Sequence, residues 1–282
     1  MGYETELKKV QKTFKNSKII IEQPVSDFPE LDITVPDSWT TIQLAPLYDV
    51  HIGNANHDKA LFARHLKWIE DTPNVLSWGG GDLIENITPA QAAKGMGQTA
   101  TTPEDQIFDV IKQLAPIQHK LLFSIPGNHE DRTSKTSGMD SGKRIADGLE
   151  VPYFPDYCFL TIHWRGQNFR ILAHHGAGGA QTPGAQLNSA RKELAWTTAD
   201  VIWTGHLHQN KVDIVFRVDY DQKTGRAFER DTLVIIAPSY LFYFKGYAAK
   251  VRMSPGVRGL TAITLNDDGR IDASMHARGK RL

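Results

Sequence analysis

The stretch VIWTGHLHQN, residues 201–210, carries Val201, Ile202 and Trp203 through Gly205 to two imidazoles, His206 and His208. The apolar run suits a buried strand, and the glycine lets the backbone turn sharply where that strand ends. Two histidines at i and i+2 past such a turn can converge on one point and act as metal ligands. Taken alone, the pair is equally well explained as two ordinary hydrogen-bonded rings. The reading therefore depends on whether other strand ends repeat the pattern.

They do. TIQLAPLYDVH (41–51) ends at Asp49 and His51, NVLSWGGGD (74–82) at Asp82, KLLFSIPGNHE (120–130) at Asn128 and His129, and NFRILAHHG (168–176) at His174 and His175. In open α/β sheets the carboxyl ends of the strands share one edge, where ligands bind, so this order implies convergence in space. The assembled donors are carboxylates, an amide and imidazoles with no thiolate. Such a set suits one or two borderline divalent ions such as Mn, Fe, Zn, Ni or Co.

Outside these runs the pattern alternates strand and helix in the first half and turns mostly to strand at the end. Further strands are expected at 159–164, 212–218, 233–237, 261–265 and 271–275, and helices at 58–70, 103–114, 141–149 and 185–197. That arrangement implies a mixed sheet packed on a second sheet, with helices outside. Residues 1–38 are polar, hold three prolines after Gln23 and show no sustained period, so they are read as an N-terminal arm that can pair at a sheet edge; 39–282 is read as one domain. Segments 88–102 and 132–142, rich in small and polar residues, are expected to be long loops rimming the site.

Composition narrows the function classes. Lys+Arg and Asp+Glu stand at 32 each, so no global field draws the chain to nucleic acid or an anionic membrane. The single cysteine, Cys158, excludes an internal disulfide and a thiolate metal cluster and fits a reducing compartment. The charged N-terminus lacks the apolar segment of a secretory signal, and the apolar stretch 232–244 is broken by Pro238 and too short to span a bilayer. A cytoplasmic protein without membrane contact is the expectation.

The motifs, in order, are D-x-H (Asp49, His51), G-D (Gly81, Asp82), G-N-H-E (Gly127 to Glu130), a later histidine (His174) and G-H-x-H (Gly205 to His208). This set resembles the calcineurin-like metallophosphoesterase superfamily over more than half of the chain. The resemblance implies a four-layer α/β/β/α sandwich of two mixed β-sheets flanked by helices, and a site for two divalent metal ions, with Mn favoured. It assigns Asp49, His51, Asp82 and His208 to one ion and Asp82, Asn128, His174 and His206 to the other, with Asp82 bridging. His175 is expected to face the substrate. His129 is expected beside the metals, donating a proton to the leaving group or stabilising its oxygen.

The implied activity is hydrolysis of phosphate esters by a metal-activated hydroxide. Phosphoprotein phosphatases of the superfamily carry G-D-x-x-D-R-G, whereas this chain reads GDLIENI. Glu85 stands in place of the second Asp and is expected to orient His129; Asn86 replaces the Arg that clamps phosphate. A dianionic monoester needs that charge more than a diester does, so phosphodiesters, nucleotides and nucleic acid among them, are the favoured substrates. Arg132 can supply part of the missing charge. A phosphomonoesterase acting on nucleotides or phosphoproteins, and a catalytically silent binding or scaffold protein on the same fold, are the alternatives. The segment SYLFYFKGYAAKVR (239–252) interleaves aromatics with cations in a way that could stack bases and meet phosphates.

Overall fold

The computed structural model describes residues 9–14, 17–89, 101–245, 249 and 255–277. Two sheets face each other. One has five strands in the order β13-β12-β4-β5-β6, built from β4 (Ile42–Leu44), β5 (Val75–Gly80), β6 (Leu121–Ile125), β12 (Gly259–Leu265) and β13 (Ile271–Ala277). The other has eight in the order β1-β2-β3-β7-β8-β9-β11-β10, from β1 (Lys9–Phe14), β2 (Ser17–Glu22), β3 (Glu30–Thr34), β7 (Tyr157–Trp164), β8 (Gln167–His174), β9 (Val201–Thr204), β10 (Lys211–Tyr220) and β11 (Ala227–Ile236).

The continuous apolar runs arise because both faces of the central strands are covered. On β9, Val201 and Trp203 point into the core between the sheets, while Ile202 points outward with Leu172 and Val234 against Ala190. Ala190 lies on α5 (Pro183–Arg191), the helix on that outer face. Trp78 of β5 stacks on Phe123 of β6 at 5.4 Å and meets Trp203 edge-on, also at 5.4 Å, fixing the spacing of the sheets beneath their carboxyl ends. The outer face of the five-stranded sheet is covered by α1 (Lys59–Asp71), α2 (Pro103–Leu114) and α4 (Ser141–Gly148), through Leu61, Phe62, Val110 and Ile145. The result is the four-layer α/β/β/α sandwich.

Helix α2 starts where its sequence dictates. Thr102 caps it, Asp105 returns the hydrogen bond to complete a capping box, and Pro103 fills the first turn, where its missing N–H costs nothing. Strands β4, β5 and β6 are mutually parallel, as are β8, β9 and β11, so their carboxyl ends open on a shared edge.

Two segments differ from the sequence expectation or extend it. The N-terminal arm supplies β1, β2 and β3, with β3 running parallel to β7, so it completes one side of the larger sheet. Segment 132–142 is mostly helical rather than a long loop: α3 (Asp131–Ser137) ends at Gly138 in the left-handed region (φ 73°), and Asp140 caps α4. Thr133 is the one buried residue of α3, so it has no apolar stripe to betray it. In the segments 88–102 and 239–252, residues 90–100, 246–248 and 250–254 lie outside the described residues.

Candidate metal centre

Five of the donors stand past a strand on backbone bent the same way. Asp49 (φ 50°), His51 (55°), Asp82 (52°), His206 (65°) and His208 (52°) all occupy the left-handed region. For non-glycine residues that conformation costs about 1–3 kcal/mol each and persists only where the surroundings enforce it.

Backbone hydrogen bonds between the turns enforce it. Asp49 N–H donates to Gly81 O (3.1 Å) and His51 N–H to Asp82 O (2.9 Å), tying the first two turns together. His206 N–H donates to Asp49 Oδ2 (2.9 Å) and His129 N–H to Asp82 Oδ1 (2.8 Å). Two glycines are obligatory. Gly81 has φ 90°, and a Cβ there would lie 2.6 Å from His175 Nδ1; a Cβ on Gly127 would collide with the Asp82 carboxylate.

Glu130 is a site residue that sequence reasoning gave no role. Its buried carboxylate accepts the backbone N–H groups of Asp82 (2.9 Å), Leu83 (2.8 Å), Ile84 (3.1 Å) and Gly127 (2.8 Å). It thereby splices the loop after β5 to the loop after β6. The last letter of G-N-H-E was the available signal.

The donor atoms fall into groups within 4.8 Å: Asp49, His51, Asp82 and His208 form one, Asp82, His175 and His206 another, and Asp82 belongs to both. In the first, His208 Nε2 lies 3.2 Å from Asp49 Oδ1 and 3.1 Å from His51 Nε2. In the second, His175 Nδ1 donates to Gly80 O (3.0 Å), which turns Nε2 to within 3.3 Å of Asp82 Oδ2. Asp49 Oδ1 and His175 Nε2 are buried and make no hydrogen bond. Buried polar atoms left without a hydrogen bond are costly, and these two each lie in one of the donor groups around Asp82, so the residues fit a divalent ion. Asn128 joins through its Oδ1, 2.8 Å from His206 Nδ1.

His175, where His174 was expected, is the ring that lies within reach of Asp82 and His206. Phe169, Ile171 and Ala173 of β8 point into the core between the sheets, and His175 continues that parity into the cluster. His174 shares the outward parity of Leu172 and faces the helical side, 3.9 Å from Glu193. Burial pushes the His174 ring down to about 4. For His175 burial acts the same way, but the carboxylates of Asp82 and Asp49 outweigh it and carry the ring up to about 10.

Glu85 meets two rings: its side chain bonds His51, and its main-chain carbonyl bonds His129, the ring it was expected to orient. Its Oε2 accepts from His51 Nδ1 (3.0 Å) and Asn54 Nδ2 (2.8 Å) and stands 3.8 Å from His129 Nδ1. A carboxylate behind a ligand histidine fixes the tautomer and aims Nε2 at the metal. Burial alone would raise the Glu85 carboxyl, but the His51 hydrogen bond and charge, with help from His129 and Asn54, hold it at about 2.

His129 donates through Nδ1 to the Glu85 carbonyl (2.8 Å), and its Nε2 accepts from Arg132 Nη2 (2.7 Å). Burial holds its pKa at about 4, against the pull of Asp82, so the ring is neutral at neutral pH. Arg132 also donates to Glu85 O through Nη1 (2.7 Å). Asn86 is buried and donates to His129 O (2.6 Å) and Thr133 Oγ1 (3.1 Å), so it serves as a loop tie. Beside the cluster opens a cleft of about 530 Å³, bordered by Asn128, His175 and Gly205 at one end and by His174, Glu193 and Trp196 at the other.

No protein-family model matches the chain, and no curated protein matches it. Similar solved structures include a single mutant of Vps29 from Entamoeba histolytica (14% identity, TM-score 0.39, 84% of this chain and 100% of that one). Wild-type Vps29 of the same organism, complexed with Zn2+, scores alike (13%, 0.39, 84% and 99%). A conserved uncharacterised protein from Streptococcus pneumoniae TIGR4, described as a predicted phosphoesterase, is a third (11%, 0.35, 86% and 100%). Likenesses this low leave the functional reading to rest on the chain's own residues. No helix among the described residues is long and apolar enough to cross a membrane. The motifs meet at one edge of a four-layer α/β/β/α sandwich, as their resemblance to the calcineurin-like metallophosphoesterases implied.

Proposed function

We propose that this chain is a binuclear metal-dependent phosphoesterase that prefers phosphodiesters. The observation that carries the reading is the pair of donor groups sharing Asp82. Asp49, His51 and His208 would hold one ion and His175, His206 and Asn128 the other, with Asp82 common to both. When bound, a pair of divalent ions supplies Lewis-acid chemistry, drawing electron density from phosphorus and making water acidic enough to attack at neutral pH. Mn2+ is the ion the resemblance favours, and the imidazoles of the set suit Zn2+ or Fe2+ as well.

The chain's own groups do the rest. His129 and Arg132, bonded to each other beside Asp82, would meet the leaving oxygen, with the guanidinium contributing positive charge and the ring a site for a proton. For His129 to donate that proton, Nε2 must first gain it and Arg132 must release the nitrogen. The preference for diesters is supported by what surrounds the phosphate. Asn86 is a buried tie where phosphoprotein phosphatases place an Arg, and Arg132 is partly spent on Glu85 O and His129. Little fixed charge is left to clamp the terminal oxygens of a dianionic monoester.

The test is hydrolysis of bis-(4-nitrophenyl) phosphate and 4-nitrophenyl phosphate by the full chain, with Mn2+, with Zn2+ and after chelation. Metal-dependent turnover with the diester favoured is expected. Turnover of the monoester alone would replace the substrate class, and no turnover with any metal would leave the scaffold reading.

A further inference from the structure

Strand β10, ten residues long, ends the eight-stranded sheet, and among the described residues nothing pairs with its outer edge. One face of it is apolar and open to solvent: Ile214 is 67% exposed, Phe216 57%, Val218 57% and Tyr220 67%. A long edge strand with one apolar face open to solvent is what soluble proteins ordinarily cover or blunt.

The hydrogen-bonding parity of that edge follows from its neighbours. On β11, Leu233 donates toward β9, to Asp200 O (2.9 Å), and Ala237 just beyond the strand donates to Thr204 O (2.7 Å). The alternate residues Thr232, Val234 and Ile236 therefore face β10, where their partners are Val215, Asp213 and Lys211. That leaves Val212, Ile214, Phe216, Val218 and Tyr220 with their N–H and C=O groups directed at the free edge.

We infer that β10 pairs antiparallel with β10 of a second copy of this chain about a two-fold axis at Val215, joining the two eight-stranded sheets edge to edge. In that register Ile214 opposes Phe216 and Val212 opposes Val218 as hydrogen-bonded pairs, matching the outward parity. Lys211 opposes Asp219 and Asp213 opposes Arg217 on the other face. Neighbouring registers fail on charge. An axis at Phe216 sets Asp213 against Asp219, one at Ile214 sets Lys211 against Arg217, and axes at Asp213 or Arg217 oppose like charges at the axis itself. Asp213 and Asp219 already have intrachain partners, Arg191 (2.6 Å) and Arg230 (3.3 Å), so the cross-axis charges select register and the apolar row supplies affinity.

The test is the mass of the full chain in solution by light scattering, followed by disulfide trapping. A particle of roughly twice 31.5 kDa is expected. Val215→Cys places two thiols across the axis about 4.5 Å apart between Cα atoms, so mild oxidation with copper-phenanthroline should give a covalent dimer. Val218→Cys, about 20 Å from its copy in this register, should not link, and Cys158 is buried and does not compete. Ile214→Pro removes an N–H that no intrachain bond uses, and should yield a monomer with an unchanged far-ultraviolet spectrum. A monomer at about 100 µM, linking at residue 218 in preference to 215, or a Val215→Cys dimer that fails to link, would each overturn the pairing.

Discussion

Glu85→Gln isolates the role the structure gives to a residue lying outside both proposed metal ligand sets. The change keeps shape and removes charge. The amide oxygen can take the place of Oε2 and still accept from His51 Nδ1 and Asn54 Nδ2, now 3.0 and 2.8 Å away. The amide nitrogen then occupies the position of Oε1, 4.0 Å from the Arg132 guanidinium. A charge-assisted hydrogen bond contributes about 1.5–3 kcal/mol and a neutral one about 0.5–1.5 kcal/mol, so about 1–1.5 kcal/mol is lost from the support of His51. That corresponds to a roughly 10-fold weaker metal site, the lower end of what loss of such a partner costs. Competition with a fluorescent chelator reads the two equivalents separately. The equivalent held by Asp49, His51 and His208 should weaken about 10-fold while the one held by His175 and His206 stays within about 2-fold of wild type. Equal weakening of both, or of neither, would refute the claim that Glu85 acts through His51.

Three further outcomes are expected. Asp82→Asn should weaken both equivalents and abolish turnover, whereas Asp49→Asn should weaken mainly one, as elemental analysis after gel filtration would show; two full equivalents retained in Asp82→Asn would remove the bridge. His175→Ala should lose one equivalent and His174→Ala none, and the reverse pattern would restore the assignment that the sequence suggested. His129→Asn should keep both metals and slow an alkyl diester on the order of 100-fold, with a smaller effect on a nitrophenyl diester, whose leaving group needs little help; equal losses on both would leave His129 a structural ring.

What was legible in the chain is the sandwich and the convergence of its strand ends. Runs such as Leu121–Ile125 are apolar without alternation because both faces of the strand are covered, and a polar donor straight after such a run can only stand at the sheet edge. The helix at 103–114 was equally plain, and its start at Pro103 agrees with the structure. What was not legible depended on which face of a strand meets which layer. His174 and His175 are adjacent, and only the parity set by Phe169, Ile171 and Ala173 decides which of them enters the cluster. The partner of Glu85 was hidden for a similar reason: His51 and His129 arrive from different strands, with rings 4.5 Å apart, so spacing in the chain cannot choose between them. Helix α3 escaped because a helix that buries one threonine leaves no period to read.

The central claim is that two ions bound across Asp82 make the site hydrolytic. Its most direct test is to titrate metal-free protein with Mn2+ while following both bound metal and hydrolysis of bis-(4-nitrophenyl) phosphate. Turnover should stay low through the first equivalent and rise with the second, reaching its plateau at two per chain. Full activity at one equivalent, or two equivalents bound with no hydrolysis, would contradict it.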